Sequence, residues 1–213
     1  MICMNENKPA SRAERQKIQL RTEIIETAFT EFSERGYHQT AISDIAKRLG
    51  IGHGTFYRHF KNKRDILEHV IDDVSKKIAG ALVNENAPAA MNTLEDYREQ
   101  CQRIGKQLTK IVLENPNMAR LILLEATSID PEMTQRIMGF FDWAAQLVSA
   151  YMENGVKLGI FRKDLDAEAT GHVIVGLLVT SALRFLRSPD DKAMQKRMAD
   201  AVLRLLVDGI GAE

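Results

Sequence analysis

Cysteine is nearly absent. Cys3 and Cys101 are the two in 213 residues, too few for a disulfide framework and set in unlike contexts, which points to a reducing compartment. Net charge is missing too: 29 Lys and Arg balance 29 Asp and Glu, so the whole-chain balance gives no sign of a polyanionic partner. No segment reaches the roughly 18 unbroken apolar residues of a membrane span. The N-terminal MICMNENKPASRAERQK has no apolar signal-peptide core. A cytosolic (cytoplasmic) protein with no membrane partner is expected. Convincing strand alternation, a repeat period and low-complexity tracts are all lacking. So are a nucleophile–base set, a phosphate-cradling glycine loop with Lys-Thr and a zinc-ligand spacing, so neither an enzyme nor a cofactor is expected.

What is present is an uneven distribution of charge. Residues 1–64 hold 12 Lys or Arg against 7 Asp or Glu, an excess of five positive charges that the remainder of the chain cancels. Such asymmetry raises the question of whether the basic part meets nucleic acid or membrane. Helical spacing runs along nearly the whole chain. Ile25, Ala28, Phe29 and Phe32 follow i, i+3, i+4, i+7 within 15–35, and Gly36 is a stop signal. TAISDIAKRLG repeats the pattern with Ile42, Ile45, Ala46 and Leu49 behind Thr40, a candidate cap, and ends at Gly50. A short third helix is predicted over about 53–60, and Asn62 with Asp65 opens a fourth. After the loop NENAPAAMN, Thr93 and Asp96 open a long helix that Asn115-Pro116 breaks. A short helix over 117–126 follows, then a long one from Asp130-Pro131 to about Gly155 or Leu158. The turn GIFRKDLD leads into helices over 166–187 and 191–208. The expected class is all-α, about nine helices, with an N-terminal three-helix part ahead of a larger bundle.

Two helices joined by the short turn Leu49-Gly50-Ile51-Gly52 have the form of a helix-turn-helix. At about 100° per residue, Phe56 and Phe60 fall about 40° apart and face the core. Gly54 and Arg58, flanked by Thr55 and Tyr57, lie opposite and are free for a major groove. Gly54 lets backbone approach a duplex closely, and the helix N-terminus offers N–H groups to a phosphate. His53, His59 and His69 could suggest a metal, but no Cys or carboxylate completes a ligand spacing, so no metal site is assigned. Lys8, Arg12, Arg15 and Lys17 read as a solvated tail more readily than as a minor-groove arm.

Taken together, GYHQTAISDIAKRLGIGHGTFYRHFKNKRDIL resembles the DNA-binding motif of the TetR family of transcriptional regulators. The Gly-aromatic pair, the Thr, the Ile-Ala pair, the Gly-Thr-aromatic-Tyr run, the His-Phe pair and the Lys recur in order and spacing over residues 20–67. The resemblance implies that Thr40, Tyr57, His59 and Lys63 bind phosphate of a double-stranded DNA operator. It implies that Arg48, His53, Gly54 and Thr55 face bases or the adjoining backbone. Gly52 departs from the pattern, standing where the family usually has Ser, so a side-chain cap on the third helix is missing. The expected domains are a flexible tail over 1–14, the DNA-binding part over 15–62 and a ligand-binding and dimerisation part over 63–213.

In that larger part VIVGLLVTSALRFL (173–186) is apolar nearly all round and must be covered on all sides. Met194, Met198, Ala201, Val202 and Leu205 stripe the last helix. A homodimer follows naturally, with Gly176, Ser181 and Ala182 allowing close approach beside Leu177, Met198, Val202 and Leu205, and it would pair two recognition helices on a palindrome. The resemblance implies the same interface. It also implies a cavity for a small-molecule effector among the middle helices. Met118, Leu121, Ile122, Phe140, Trp143, Leu147 and Tyr151 are candidate lining, and Arg120, Glu125 and His172 are candidates to orient a ligand. Two functions remain open at this point. One is a ligand-responsive dimeric regulator, most often a repressor by the resemblance; the other is a ligand-blind DNA- or partner-binding bundle whose C-terminal part only dimerises.

Overall fold

A computed structural model describes residues 11–209. These residues are all-α, with no strand among them, and divide within the fourth helix into two compact units, Met1–Val70 and Ile71–Glu213.

In the first unit, α1 (Arg12–Arg35), α2 (Ile42–Leu49) and α3 (His53–Tyr57) precede α4 (Lys63–Gly80). Helix α1 starts earlier than its apolar stripe suggests, because Ser11 and Glu14 form a capping box: the Glu14 N–H donates to Ser11 Oγ at 3.2 Å and the Ser11 N–H to Glu14 Oε2 at 2.7 Å. Arg12, Arg15 and Lys17 therefore stand on helix; Lys8 lies outside the described residues. The buried line of α1 is Ile24, Ala28 and Phe32, with Ile25 and Phe29 at its half-buried edge. Ile45 and Ala46 from α2, Phe56 from α3, Phe60, and Ile66, Leu67 and Val70 from α4 complete the core. Gly50 closes α2 with left-handed backbone (φ 68°), a conformation glycine adopts without penalty. Thr40 does not cap α2. Ala41 holds the cap position, and the Ala41 N–H donates to Asp44 Oδ2 at 2.9 Å. Helix α3 ends at Tyr57 and has no side-chain cap at Gly52. Asn62 Oδ1 accepts from the Asp65 N–H at 2.8 Å, and Asp65 reaches back to the Lys61 N–H.

The second unit holds the rest of α4 with α5 (Leu94–Glu114), α6 (Pro116–Arg120), α7 (Pro131–Lys157), α8 (Ala167–Arg187) and α9 (Lys192–Asp208). The stretch after α6 is not one continuous α-helix. It passes into a π-turn over Leu121–Glu125 and a 3-10 turn over Ala126–Ser128. Thr93 with Asp96, Asp130 and Asp191 cap α5, α7 and α9. The core gathers Met91, Tyr97, Tyr151, Met152, Phe161 and Ile174 with Leu206 and Val207. By length and composition α8 could cross a membrane, but here it packs along α7 as a bundle helix.

Two glycines set that packing. A Cβ on Gly171 would lie 2.3 Å from Ser149 Oγ and 2.6 Å from the Ala145 carbonyl, and one on Gly155 would lie 2.1 Å from the Phe161 ring. Only a hydrogen at these positions lets α8 and Phe161 approach α7 so closely. Gly171→Ala should cost about 2 kcal/mol of stability by overpacking. Gly139→Ala, on α7 with nothing within 4 Å of the added methyl, should instead add up to about 1 kcal/mol through helix propensity. Urea denaturation followed by helical circular dichroism measures both.

Candidate functional site

Helix α3 and its flanks turn their polar side outward. His53, Gly54 and Arg58 are exposed, Thr55 and His59 half-buried, and Tyr57 stands 54% exposed while its neighbour Phe56 is fully buried. Nothing lies within 4 Å of where a Gly54 side chain would begin, so the backbone there is open to a large partner. Arg58 Nη2 donates to Thr55 Oγ1 at 3.0 Å, which steadies a cation across the helix face. The ordering force beneath is aromatic: Phe56 packs on Tyr57 (ring centroids 5.6 Å) and on Phe60 (5.9 Å).

Other predicted contacts are already engaged within the unit. Arg48 Nη1 donates to Glu31 Oε1 at 2.9 Å and to Glu34 Oε2 at 2.6 Å, and Glu31 is nearly buried. The two carboxylates raise the guanidinium's pKa, and Arg48 in return lowers that of Glu34. Thr40 is buried, and its hydroxyl is shared between the carbonyls of Gly36 at 2.9 Å and Glu31 at 3.2 Å. The Lys63 ammonium donates to the carbonyls of Tyr37 at 2.7 Å and Thr40 at 3.0 Å, with that of His38 at 3.5 Å, and it lies 4.3 Å over the Tyr37 ring. Burial lowers its pKa. A phosphate would thus have at most one of its protons to share.

Arg21, to which the sequence pattern assigns no role, is central here. It donates to the His59 carbonyl at 2.7 Å, contacts His69 Nε2 at 2.7 Å and lies 4.3 Å over the Phe60 ring. Its position one turn before Ile24, on the edge of the buried face, is the one signal that could have found it. Burial first, then the cations Lys17, Arg21 and Arg58, hold the His59 imidazole below the ordinary histidine range.

In the second unit an open groove of about 330 Å³ is lined from α4 by Ile71, Asp72, Ser75, Lys76 and Ala79 and from α7 by Arg136, Phe140 and Trp143. Of the predicted ligand residues it brings together Phe140 and Trp143, whose ring centroids are 5.7 Å apart. Met118, Leu121 and Ile122 are buried and do not line it. Nor does Tyr151, which sits in the core with its hydroxyl on the Asn86 carbonyl. Leu147 is half-buried, and His172 is exposed with Nδ1 on the Glu168 carbonyl. Arg120 donates to the Leu186 carbonyl at 3.3 Å. On α8 and α9, Val173 (71%) and Leu205 (61%) are the most open large apolar side chains. Gly176 is exposed between them in sequence, and Leu177, Met198 and Val202 are half-buried. Ser181 is buried, its hydroxyl donating back to the Leu177 carbonyl.

Residues 24–70 match a family model described as bacterial regulatory proteins, tetR family, and residues 75–209 one described as the C-terminal region of YsiA-like protein. The chain is 26% identical over 188 residues to the fatty acid metabolism regulator protein of Bacillus subtilis (strain 168), covering 88% of this chain and 94% of that one. It is 25% identical to an HTH-type transcriptional repressor of Rhodococcus jostii (strain RHA1), over 90% of this chain and 91% of the other. The crystal structure of the regulator FadR from Bacillus subtilis in complex with stearoyl-CoA superposes with a TM-score of 0.73 at 26% identity, covering 89% of this chain and 98% of that one.

Because the Lys63 ammonium closes the α1–α2 connection, Lys63→Met should cost about 2 kcal/mol of stability through lost charged hydrogen bonds. A shift of the urea midpoint of the full chain measures it, and a shift below a few tenths of a kcal/mol would mark these bonds as incidental.

Proposed function

Because the chain belongs to the tetR family of bacterial regulatory proteins, we propose that it is a cytoplasmic homodimeric repressor, not an enzyme. In this reading it leaves a palindromic operator when an apolar or amphipathic small molecule fills the groove beside Phe140 and Trp143. The carrying observation is the outward face of α3 and its C-cap: a bare glycine, the exposed Arg58 and an exposed tyrosine on a helix whose other face is locked in the core. Thr55, His53 and Gly54 approach base edges or the adjoining backbone; Tyr57, Arg58 and His59 take phosphates. Arg48, Thr40 and Lys63 act mainly by holding the motif in shape, with phosphate contact from the outward side of Lys63. The relative solved with stearoyl-CoA makes long-chain acyl thioesters the first ligand class to test. The competing ligand-blind reading has the open groove against it.

For assembly, the open apolar side chains Val173 and Leu205 with the bare Gly176 need a cover, and a second copy supplies one with the required two-fold symmetry. Leu177→Glu should yield monomers in sedimentation velocity, with helical content kept and affinity for a duplex selected by the protein from random DNA lost. A wild-type protein that sediments as a monomer at micromolar concentration refutes the dimer.

The lowered His59 pKa gives a pH signature. The free ring is largely neutral at pH 7, and a phosphate beside it would favour the imidazolium, raising its pKa in the complex. The complex then binds more protons than its parts, so affinity rises as pH falls through the window between the raised complex value and the lowered free value, and is fully gained below the latter. Fluorescence anisotropy from about pH 8 to about pH 5.5 should show several-fold tightening, about tenfold per unit of raised pKa. His59→Gln should remove that increment, and an unchanged pH slope would take His59 out of phosphate contact.

A further inference from the structure

The groove is not simply apolar. Asp72 on α4 and Arg136 on α7 form an ion pair at its wall through Nη2 of the guanidinium, both side chains being partly exposed. Arg136 Nε is buried and has no hydrogen-bond partner among the described residues. Lys76, also in the lining and exposed, makes no ion pair among the described residues. The groove therefore carries two cations against one carboxylate, beside the rings of Phe140 and Trp143 and the side chain of Ile71. A guanidinium's Nε–H and one Nη2 proton lie in its plane and point the same way, an edge made for a two-oxygen anion. Asp72 takes Nη2 and leaves Nε bare, so the edge is half used.

We propose that the Asp72–Arg136 pair is an anion-operated latch between α4 and α7, opened when the head of an anionic amphiphile takes the Nε/Nη2 edge of Arg136 and displaces Asp72. This rests on reading the groove as the effector site. The head is a carboxylate or a phosphate joined to an apolar chain that lies against Phe140 and Trp143, and Lys76 steers it in. Once displaced, Asp72 no longer ties α4 to α7. The net positive charge and the unfilled donor favour an anion over a neutral molecule of equal chain length.

Trp143 is the chain's single tryptophan and lines the groove, so its fluorescence reports occupancy directly. Full-length dimer or protomer is titrated with dodecanoate, dodecanoyl-coenzyme A, coenzyme A alone and dodecanol, below their aggregation concentrations, with duplex affinity followed in parallel. Dodecanoate or its thioester should bind about tenfold tighter than dodecanol; the two anions differ in head source, and coenzyme A alone should bind weakly. In Arg136→Gln that preference should vanish while dodecanol binding persists, which also shows the groove is folded. In Asp72→Asn the anion should bind several-fold tighter, duplex affinity should be lowered before any ligand is added, and ligand should change it little further. Equal binding of charged and neutral chains by wild type, or an Asp72→Asn protein with wild-type coupling between ligand and duplex, overturns the latch. Equal binding that still releases DNA leaves the regulatory reading standing. Anion-selective binding that never alters duplex affinity keeps the competition at Arg136 but refutes both the release step and that reading. No binding by any chain refutes both.

Discussion

Where α1 ends and α2 begins, the carbonyls of Gly36 and Thr40 accept from side chains, as do those of Glu31 in the last turn of α1 and of Tyr37, which also takes the Thr40 N–H at 3.3 Å. Carbonyls at a core's edge need donors, and two side chains reach all four. The Thr40 hydroxyl covers Glu31 and Gly36, and the Lys63 ammonium, reaching back from the first turn of α4, covers Tyr37 and Thr40. Drawing an ammonium partly out of water lowers its pKa, and the carbonyl lone pairs with the face of Tyr37 return part of that cost. The position of α2, and through Gly50 that of α3, depends on this closure. A helix of five residues has no stability of its own, so the outward face of α3 exists only because Phe56 and this knot hold it.

The same knot marks how far a sequence can be read. Periodicity and end signals located nearly every helix, because caps act between residues three or four apart: Asn62 with Asp65, Thr93 with Asp96, Gly36 and Gly50. Thr40 precedes α2 as a cap would, yet which carbonyls lie bare near its hydroxyl is decided by the fold, so its spacing misled. Ile24 and not Ile25 centres the α1 face, since one position is only about 100° and the stripe is broad enough to hide it. The π-turn after Arg120 left no periodic trace.

For the sites, the exposed face of α3 was legible because one short helix carries it whole. The clasp of Glu31 on Arg48 spans 17 residues and Arg21 on the His59 carbonyl 38, and no local pattern encodes such partners. In the groove, the wide apolar arc of α7 disclosed Phe140 and Trp143. The polar half did not show, because Asp72 and Arg136 are 64 residues apart and each alone reads as a solvated charge.

The strength of that pair bears on what it could switch. Ion pairs this exposed contribute about 0–1 kcal/mol each, so one such tie can bias two states only about fivefold at most. Effective regulation takes about 1–3 kcal/mol of coupling. In a two-fold dimer both protomers carry the tie, and their contributions add, reaching about 2 kcal/mol when both are displaced. A weak latch is then an advantage, because a tighter one would demand more ligand binding energy than a single anionic head returns. Helix α4 is suited to carry such coupling, since Lys63 and Asp72 lie on one continuous helix, Lys63–Gly80, about two and a half turns apart.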